Sequence, residues 1–300
     1  MKKILITGAN GLLGQALVDI LKDKFVIAAT GVEDLSAHVV PKVEYTSLDI
    51  TNFTQCKDFI NQFAPDIIVN AASYTQVDTC EDQKELCWQI NVKGVENLAN
   101  LARRYDIHLL HYSTDYIFDG KNGPYAEDDR SHPLGYYGKS KLASENVLRQ
   151  IACPFTIVRT CVIYGLGSQV KKNFYVWILE SLKGKNSITV VTDQYNNPTL
   201  AEDLARGSEQ VINRGYQGTL NLAGKQYLNR FDFAIFVAKF FELDSNLIQP
   251  IETARLKQAS PRPEYGGLKI DKAIKVLDYE PRSVEESFIF LKWKMEKNER

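Results

Sequence analysis

Two side chains able to exchange a proton stand four residues apart in the segment Tyr137-Gly138-Lys139-Ser140-Lys141. Because a helix turns every 3.6 residues, this spacing places Tyr137 and Lys141 on one helical face. A free tyrosine has a pKa of about 10, and a neighbouring ammonium group lowers that value by favouring the phenolate. The pattern predicts a general acid–base pair; a surface tyrosine with a solvated lysine is the alternative interpretation.

A hydroxyl group follows the predicted strand Ile107–Tyr112, within Ser113-Thr114-Asp115-Tyr116. In wound α/β folds, ligands bind at the carboxyl ends of the strands. Thr114 is therefore the predicted donor to a substrate carbonyl oxygen, where it would stabilise a developing oxyanion. A Ser/Thr turn that closes the strand is the structural alternative.

Three glycines, Gly8, Gly11 and Gly14, follow the first predicted strand and open the first predicted helix. Glycine lets the main chain approach an anion, and the free N–H groups at a helix start bind phosphate. The spacing and its place in the chain predict a dinucleotide site. An ordinary turn between strand and helix, without a ligand, is the structural alternative.

The sequence gives a weaker indication of which dinucleotide binds, NADPH or NADH. The acid expected at the end of the second strand, where it would hold a ribose hydroxyl, is absent: Thr30-Gly31-Val32 stands there and Glu33-Asp34 comes later. NADPH is favoured because no carboxylate obviously repels a 2′-phosphate, and NADH is the alternative. Small residues in Asn70-Ala71-Ala72 would let a cofactor approach another strand end, and Asn91 is predicted to hold a water or a backbone bend.

The first two-thirds of the chain alternates short β-rich runs with helical periodicity, as in Leu13, Leu17 and Leu21. This order predicts a Rossmann-type, doubly wound parallel sheet with helices on both faces. The predicted strands are Lys3–Thr7, Phe25–Thr30, Val43–Thr46, Asp66–Asn70, Ile107–Tyr112 and Phe155–Arg159.

The last third has a looser pattern, which predicts a smaller C-terminal α/β lobe for the substrate. Its predicted elements are helices at Phe174–Leu182, Ala201–Ile212 and Phe231–Phe241 and a strand at Ile188–Val191. We therefore expect a dinucleotide-binding domain at 1–165 and a substrate lobe at 166–300, with some segments of the lobe returning to the first domain.

Composition narrows the range of partners. A net charge of −1 and 24% charged residues give no basic signal for nucleic acid, and no apolar run is long enough for a membrane span. Five cysteines without regular spacing indicate reduced thiols in a cytoplasmic protein and no metal site. The expected partner is a small-molecule substrate, with a homodimer as a further candidate.

The chain resembles the extended short-chain dehydrogenase/reductase superfamily, and within it the dTDP-4-dehydrorhamnose reductases. The most specific match is the Ser-Thr-Asp-Tyr block that continues into Phe118-Asp119-Gly120. The other matching stretches are Thr7–Gly14, Asn70–Asp78, Tyr137–Lys141, Arg159-Thr160, Tyr164-Gly165, Asp193-Gln194, Pro198-Thr199 and Arg262-Pro263.

The resemblance implies a reductase that acts on a nucleotide-sugar substrate with NADPH or NADH. It implies Thr114, Tyr137 and Lys141 as the catalytic residues. The implied cofactor-binding residues are Gly8, Asn10, Gly11, Leu12, Leu13, Gly14, Thr30, Asp49, Ile50, Asn70, Ala71, Ala72, Asn91, Tyr137 and Lys141. The implied substrate-binding residues are Tyr74, Thr75, Asp115, Tyr116, Asn173 and Arg262.

Three departures from the family pattern lie toward the expected sugar pocket. Val162 replaces a common tryptophan, Asn196 replaces a usual glycine, and Glu264–Gly267 lacks the usual serine. A different deoxysugar or a non-sugar carbonyl compound is therefore an alternative substrate.

Three other functions are alternatives to that of a reductase. Sister dehydratases carry a glutamate where this chain has Tyr116, which argues against dehydration. A sugar-nucleotide epimerase would keep and recycle its nicotinamide. A non-catalytic NADP-binding subunit, similar to the regulatory subunit of methionine adenosyltransferase, would act as a partner protein.

The acid–base assignment predicts that Tyr137→Phe loses most turnover and still binds cofactor, because only the transferable proton is removed. Steady-state NAD(P)H oxidation and a cofactor-binding titration on the same preparation measure the two properties. Turnover near that of the wild type would remove Tyr137 from this role.

Overall fold

The computed structural model describes residues 1–298, which contain thirteen β-strands. They are β1 (Lys3–Thr7), β2 (Val26–Gly31), β3 (Glu44–Ser47), β4 (Ile67–Asn70), β5 (His108–Thr114), β6 (Phe155–Thr160), β7 (Ile163–Tyr164), β8 (Ile188–Val191), β9 (Tyr195–Asn196), β10 (Thr199–Leu200), β11 (Gly218–Asn221), β12 (Leu228–Asn229) and β13 (Ile248–Ile251).

The same residues form eleven α-helices. They are α1 (Leu12–Leu21), α2 (Phe53–Phe63), α3 (Thr79–Asp82), α4 (Lys84–Trp88), α5 (Gly94–Tyr105), α6 (Tyr136–Ile151), α7 (Phe174–Lys183), α8 (Ala201–Arg214), α9 (Arg230–Phe240), α10 (Asp271–Leu277) and α11 (Val284–Asn298). None of the helices described is both long and apolar enough to cross a membrane.

A seven-stranded parallel sheet forms the centre of the molecule, in the order β11-β6-β5-β4-β1-β2-β3. The strand order reverses between the paired strands β1 and β4. The helices that follow them, α1 and α5, therefore lie on opposite faces of the sheet and leave a crevice at the carboxyl ends of the two strands. The predicted doubly wound α/β fold is confirmed, and all six predicted strands lie within two residues of their predicted bounds.

Two apolar clusters cover the two faces of this sheet. Ile4 and Ile6 of β1 point into one, and Leu5 between them points into the other. Because side chains alternate along a strand and both faces are buried, β1 consists of consecutive apolar residues.

The last strand of the sheet, β11, comes from the C-terminal third of the chain and pairs with β6. Helix α8, just before it, packs against α1. The sequence pattern does not predict β11 as a strand, because Gly218-Thr219-Leu220-Asn221 is short and starts with glycine. The division at residue 165 stays a prediction.

The remaining C-terminal segments form a separate core rich in aromatic residues. Tyr164, Tyr175, Phe233 and Phe288 are almost fully buried there, and their rings pack at centroid distances of 5.2–6.4 Å. Two-stranded pairs such as β8 with β13 border this core. It gives the C-terminal lobe its own hydrophobic stabilisation beside the sheet.

A buried ion pair holds α6 to the sheet. Arg159 of β6 donates from Nε to Glu145 Oε1 at 2.9 Å and from Nη2 to Oε2 at 2.8 Å. It also donates from Nη1 to the Glu127 carbonyl at 2.8 Å. Burial raises the pKa of Glu145, but the hydrogen bonds and charge of Arg159, together with a bond from Arg149, outweigh it; the pKa is therefore lowered and the carboxylate stays ionised.

Removal of Arg159 leaves the buried Glu145 carboxylate with one charged partner, the more exposed Arg149, whose Nη2 donates to Oε2 at 2.8 Å. Arg159→Met is therefore expected to lower the free energy of unfolding by about 3–5 kcal/mol, as measured by urea denaturation. The matched control is Lys93→Met, which breaks an exposed pair with Glu96 and should cost less than about 1 kcal/mol. Equal costs for the two variants would contradict a structural role for the buried pair.

Candidate active site

The glycine turn between β1 and α1 packs closely against the end of β4. Gly8 has φ +68°, and a Cβ added there would lie 2.6 Å from the Ala72 nitrogen. A Cβ on Gly14 would lie 2.2 Å from the Gly8 carbonyl oxygen. These two positions therefore require glycine, for backbone conformation at the first and for space at both.

The start of α1 has free hydrogen-bond donors. Gly11 occupies the N-cap position and supplies no side-chain cap, and its own N–H donates to the Gly8 carbonyl at 3.0 Å. The N–H groups of Leu12, Leu13 and Gly14 begin the helix and lack intrahelical acceptors. A phosphate or pyrophosphate fits these donors and the positive end of the helix dipole.

The loop after β2 places polar groups at the edge of this turn. Asn10 Nδ2 donates to Glu33 Oε2 at 3.0 Å, and the Tyr45 hydroxyl donates to the Glu33 carbonyl at 2.9 Å. The Thr30 hydroxyl is buried and donates to the Ile6 carbonyl at 3.1 Å. A carboxylate is thus present near the end of β2, contrary to the reason given for NADPH, because the loop folds Glu33 back toward Asn10.

The next predicted cofactor residues lie after β3. Asp49 accepts bonds from the Thr51 N–H and hydroxyl, both at 2.8 Å. The Ile50 side chain is buried and packs so close to Gly94 that a Cβ there would lie 2.6 Å from Ile50 Cδ1. The adenine-side assignment of these two residues stays a prediction.

Thr114 ends β5 and caps the 3-10 turn Asp115–Ile117, where its hydroxyl accepts from the Tyr116 N–H at 3.2 Å. The same hydroxyl donates to Asp115 Oδ1 at 3.2 Å. Asp115 Oδ2 accepts from the Gly267 N–H at 3.1 Å. Burial raises the pKa of Asp115 to about 6, and this residue joins the strand end to the C-terminal lobe.

Tyr137 lies in the first turn of α6, which packs against the same 3-10 turn. Its ring meets the Tyr116 ring edge-on at 6.0 Å, and the Arg262 guanidinium lies 6.0 Å from the Tyr116 ring centroid. Arg262 Nη2 also donates to Asp78 Oδ2 at 2.7 Å. The structure therefore brings predicted catalytic and substrate residues together at the carboxyl edge of the sheet.

The pKa values of the acid–base pair differ from the prediction. The pKa of Tyr137 is raised, first by burial and then by Tyr116 and Asp115, whereas Lys141 had been expected to lower it. Burial lowers the pKa of Lys141 to about 8, against the opposing effects of Glu145 and Cys87. Desolvation therefore outweighs the attraction between phenolate and ammonium.

Asn91 sits in a π-helical turn, Gln89–Lys93, between α4 and α5. Its Oδ1 accepts from the Tyr74 N–H and the Ser73 hydroxyl, both at 2.8 Å, and its Nδ2 donates to the Ser140 hydroxyl at 3.0 Å. Asn91 therefore ties the loop after β4 to α6, and its role at the cofactor site stays a prediction. Such π-turns occur often at functional sites.

Two predicted substrate residues make contacts of their own. The Tyr74 hydroxyl donates to Gln83 Oε1 at 2.8 Å, and the neighbouring Thr75 is exposed. Asn173 caps α7 by accepting from the Val176 N–H at 3.3 Å, and its amide donates to the Gly165 carbonyl at 2.8 Å. Both amide atoms of Asn173 are thus used by the fold, and its substrate role stays a prediction.

Sequence reasoning missed His111, which is fully buried in β5 with Nε2 at 3.4 Å from Lys141 Nζ. The signal was available as a polar residue inside the apolar run His108-Leu109-Leu110-His111-Tyr112. It also missed Glu33 and Gly267, whose contacts come from loops that carry no periodic pattern.

The family model described as the RmlD substrate binding domain matches residues 1–294. The chain belongs to this family. The match confirms the family predicted from the sequence. All three predicted catalytic residues lie within the matched range.

Named relatives are similar over nearly the whole chain. The chain is 33% identical over 293 residues to a dTDP-4-dehydrorhamnose reductase of Aggregatibacter actinomycetemcomitans, with 94% of this chain and 95% of that protein covered. It is 30% identical to the methionine adenosyltransferase 2 subunit beta of Xenopus laevis, over 87% of this chain and 78% of that one.

A solved structure gives the same result in three dimensions. The dTDP-4-dehydrorhamnose reductase of Bacillus anthracis, in complex with NADP, superposes with a TM-score of 0.88 at 28% identity. The alignment covers 98% of this chain and 100% of that chain. The family's fold is thus shared from the glycine turn to the C-terminal lobe.

The position of Glu33 predicts an effect on cofactor preference. Glu33→Gln should tighten NADPH binding relative to NADH by about 1.4- to fivefold, since an exposed charge contact is worth about 0.2–1 kcal/mol. Fluorescence titrations with both dinucleotides at low salt give the ratio. Asp34→Asn is the matched control and should leave the ratio unchanged; an unchanged ratio in Glu33→Gln would separate Glu33 from the ribose site.

Proposed function

We propose that this protein is an NAD(P)H-dependent reductase of a keto group on a nucleotide-activated deoxysugar. The reaction proposed is dTDP-4-dehydrorhamnose to dTDP-L-rhamnose, with NADPH as the reductant and NADH as the alternative. One observation carries the proposal: Thr114, Tyr137 and Lys141 stand at the carboxyl edge of the sheet beside an uncapped glycine turn. The choice of substrate is supported by relatives that are named dTDP-4-dehydrorhamnose reductases and that align with nearly the whole chain.

The chain's own residues supply binding and proton transfer. The N–H groups at the start of α1 would hold the dinucleotide phosphates, and Asn70-Ala71-Ala72 would flank its nicotinamide end. When bound, the dinucleotide supplies a hydride to the carbonyl carbon. The remaining step is the delivery of a proton to the carbonyl oxygen.

Tyr137 delivers that proton from its hydroxyl as the carbonyl oxygen becomes an alkoxide. A phenol whose pKa is raised by burial holds its proton firmly until a stronger base, the alkoxide, forms beside it. The Thr114 hydroxyl orients the same oxygen by donating its one hydrogen to it, for which it turns away from Asp115 Oδ1, its acceptor at 3.2 Å in the structure. Lys141 carries a positive charge below its pKa of about 8 and stabilises the phenolate that remains.

The substrate lies against the C-terminal lobe in this proposal. Arg262 is positively charged, and its side chain is 9% exposed beside Tyr116, where it can face an anionic substrate. Asp115 fixes the approach of the lobe through its bond to Gly267. Substrate recognition thus depends on both lobes, whereas the catalytic residues come from the first alone.

A partner-protein function is a second candidate, because of the 30% identity to the methionine adenosyltransferase subunit. A reductase oxidises NADPH or NADH when its substrate is present, whereas a partner protein does not. A protein of the second kind would bind NADPH, oxidise none with keto-sugar nucleotides, and copurify with an enzyme subunit.

The test is an absorbance assay of NADPH and NADH oxidation against a panel of keto-sugar nucleotides. We expect oxidation with dTDP-4-dehydrorhamnose and loss of most of it in Tyr137→Phe and in Lys141→Met. The matched control is Lys139→Met, which removes an exposed lysine from the same helix. Binding of NADPH without oxidation across the whole panel would refute the reductase proposal.

A further inference from the structure

A chain of buried hydrogen bonds runs beneath the candidate active site, from β1 through β4 and β5 to α6. The Thr7 hydroxyl donates to Asn70 Oδ1 at 2.7 Å, and Asn70 Nδ2 lies 3.1 Å from His111 Nδ1. His111 Nε2 lies 3.0 Å from the Ser144 hydroxyl and 3.4 Å from Lys141 Nζ. Every member of this chain is buried.

These neighbours fix the tautomer of His111. Asn70 uses its oxygen for Thr7, so its NH₂ group faces His111, and Nδ1 must accept. Ser144 uses its hydroxyl hydrogen for the Lys141 carbonyl at 2.7 Å, so its oxygen accepts from His111. Both sides therefore place the hydrogen of the imidazole on Nε2. Burial lowers the pKa of His111 well below its usual value, which keeps the ring neutral.

The His111 nitrogen that carries this N–H lies 3.4 Å from the nitrogen of Lys141. The Lys141 ammonium group has only hydrogen-bond donors, and the His111 N–H is also a donor. The charged form of Lys141 therefore cannot form a hydrogen bond with this N–H. The titratable groups that face Lys141 act in the opposite direction, since Glu145 on the same helix and Cys87 of α4 both raise the pKa of Lys141. Glu145 is at the same time paired with Arg159.

We propose that His111 is a positioning residue, which presents its Nε2–H to Lys141 and thereby sets how readily this lysine carries its charge. Thr7 and Asn70 hold the ring in that state, so the strand that enters the glycine turn is connected to the lysine of the catalytic helix. This inference deepens the proposed function, because it concerns the regulation of the same site. It rests on that function only for its consequence in turnover.

The direction of the effect follows from the tautomer. Removal of the N–H removes a partial positive charge beside Lys141, so the ammonium becomes easier to keep and its pKa rises. In the proposed reaction Lys141 acts while charged. Turnover should therefore fall as the pH rises through about 8 in the wild type, and this fall should move to higher pH when the N–H is absent.

The direct test is the pKa of Lys141 from a ¹³Cε-lysine NMR titration, with the resonance identified by its absence in Lys141→Arg. His111→Phe should raise this pKa by about half a unit or more. Ser144→Ala should lower it, because the Nε2–H then points at Lys141 alone. The matched control is His108→Phe on the same strand, whose Nε2 bonds the Thr156 hydroxyl at 2.9 Å and which should leave Lys141 unchanged.

Two outcomes overturn the proposal. A fall in the Lys141 pKa in His111→Phe would mean that His111 accepts from the ammonium, and no change in either His111→Phe or Ser144→Ala would mean that the groups are not coupled. Should His111→Phe fail to fold, as judged by far-UV circular dichroism, Ser144→Ala decides alone. The NMR readout needs no substrate, so failure of the reductase assay and failure of this inference are separate results.

Discussion

The hydrogen-bond chain from Thr7 to Ser144 is the constraint on which the active edge of the sheet depends. A buried polar group that loses its partner costs about 1–3 kcal/mol, so each group in such a chain holds the next in one orientation. Asn70, at the end of β4, also flanks the crevice beside the glycine turn. The orientation of a structural asparagine inside the sheet is thus linked to that of the lysine on α6.

Burial determines the chemistry of the site in a second way. Tyr137 and Lys141 are both shifted toward their neutral forms, the tyrosine upward and the lysine downward in pKa. Separated charges are costly at low dielectric, and a proton transferred directly to the developing alkoxide moves the negative charge to the phenolate, which the Lys141 ammonium can stabilise. The pair is therefore suited to a proton transfer that accompanies bond formation.

The C-terminal lobe is attached to the carboxyl edge of the sheet through polar contacts and a small apolar cluster. Ile117 and Phe118 lie in this buried cluster together with Leu268. Asp115 accepts from Gly267, and Asp78 pairs with Arg262 while accepting from the Ser260 N–H at 3.0 Å. Both acids directly adjoin or belong to stretches that match the family. One departure from the family pattern, the segment Glu264–Gly267, lies in the same loop as Arg262 and ends with Gly267. Substrate fit can therefore change there without any change in Thr114, Tyr137 or Lys141.

The sequence by itself determined the sheet, the glycine turn and the Tyr–Lys spacing, because each depends on local periodicity or on contacts between near neighbours in the chain. Only the tertiary structure decided that β11 completes the sheet, that Glu33 returns to Asn10, and that His111 faces Lys141. These contacts join residues 23 positions apart for Asn10 and Glu33, 30 for His111 and Lys141, and 62 for the paired residues of β6 and β11. Local pattern carries no information on such pairings, and burial, which sets both pKa shifts, exists only once the chain has folded.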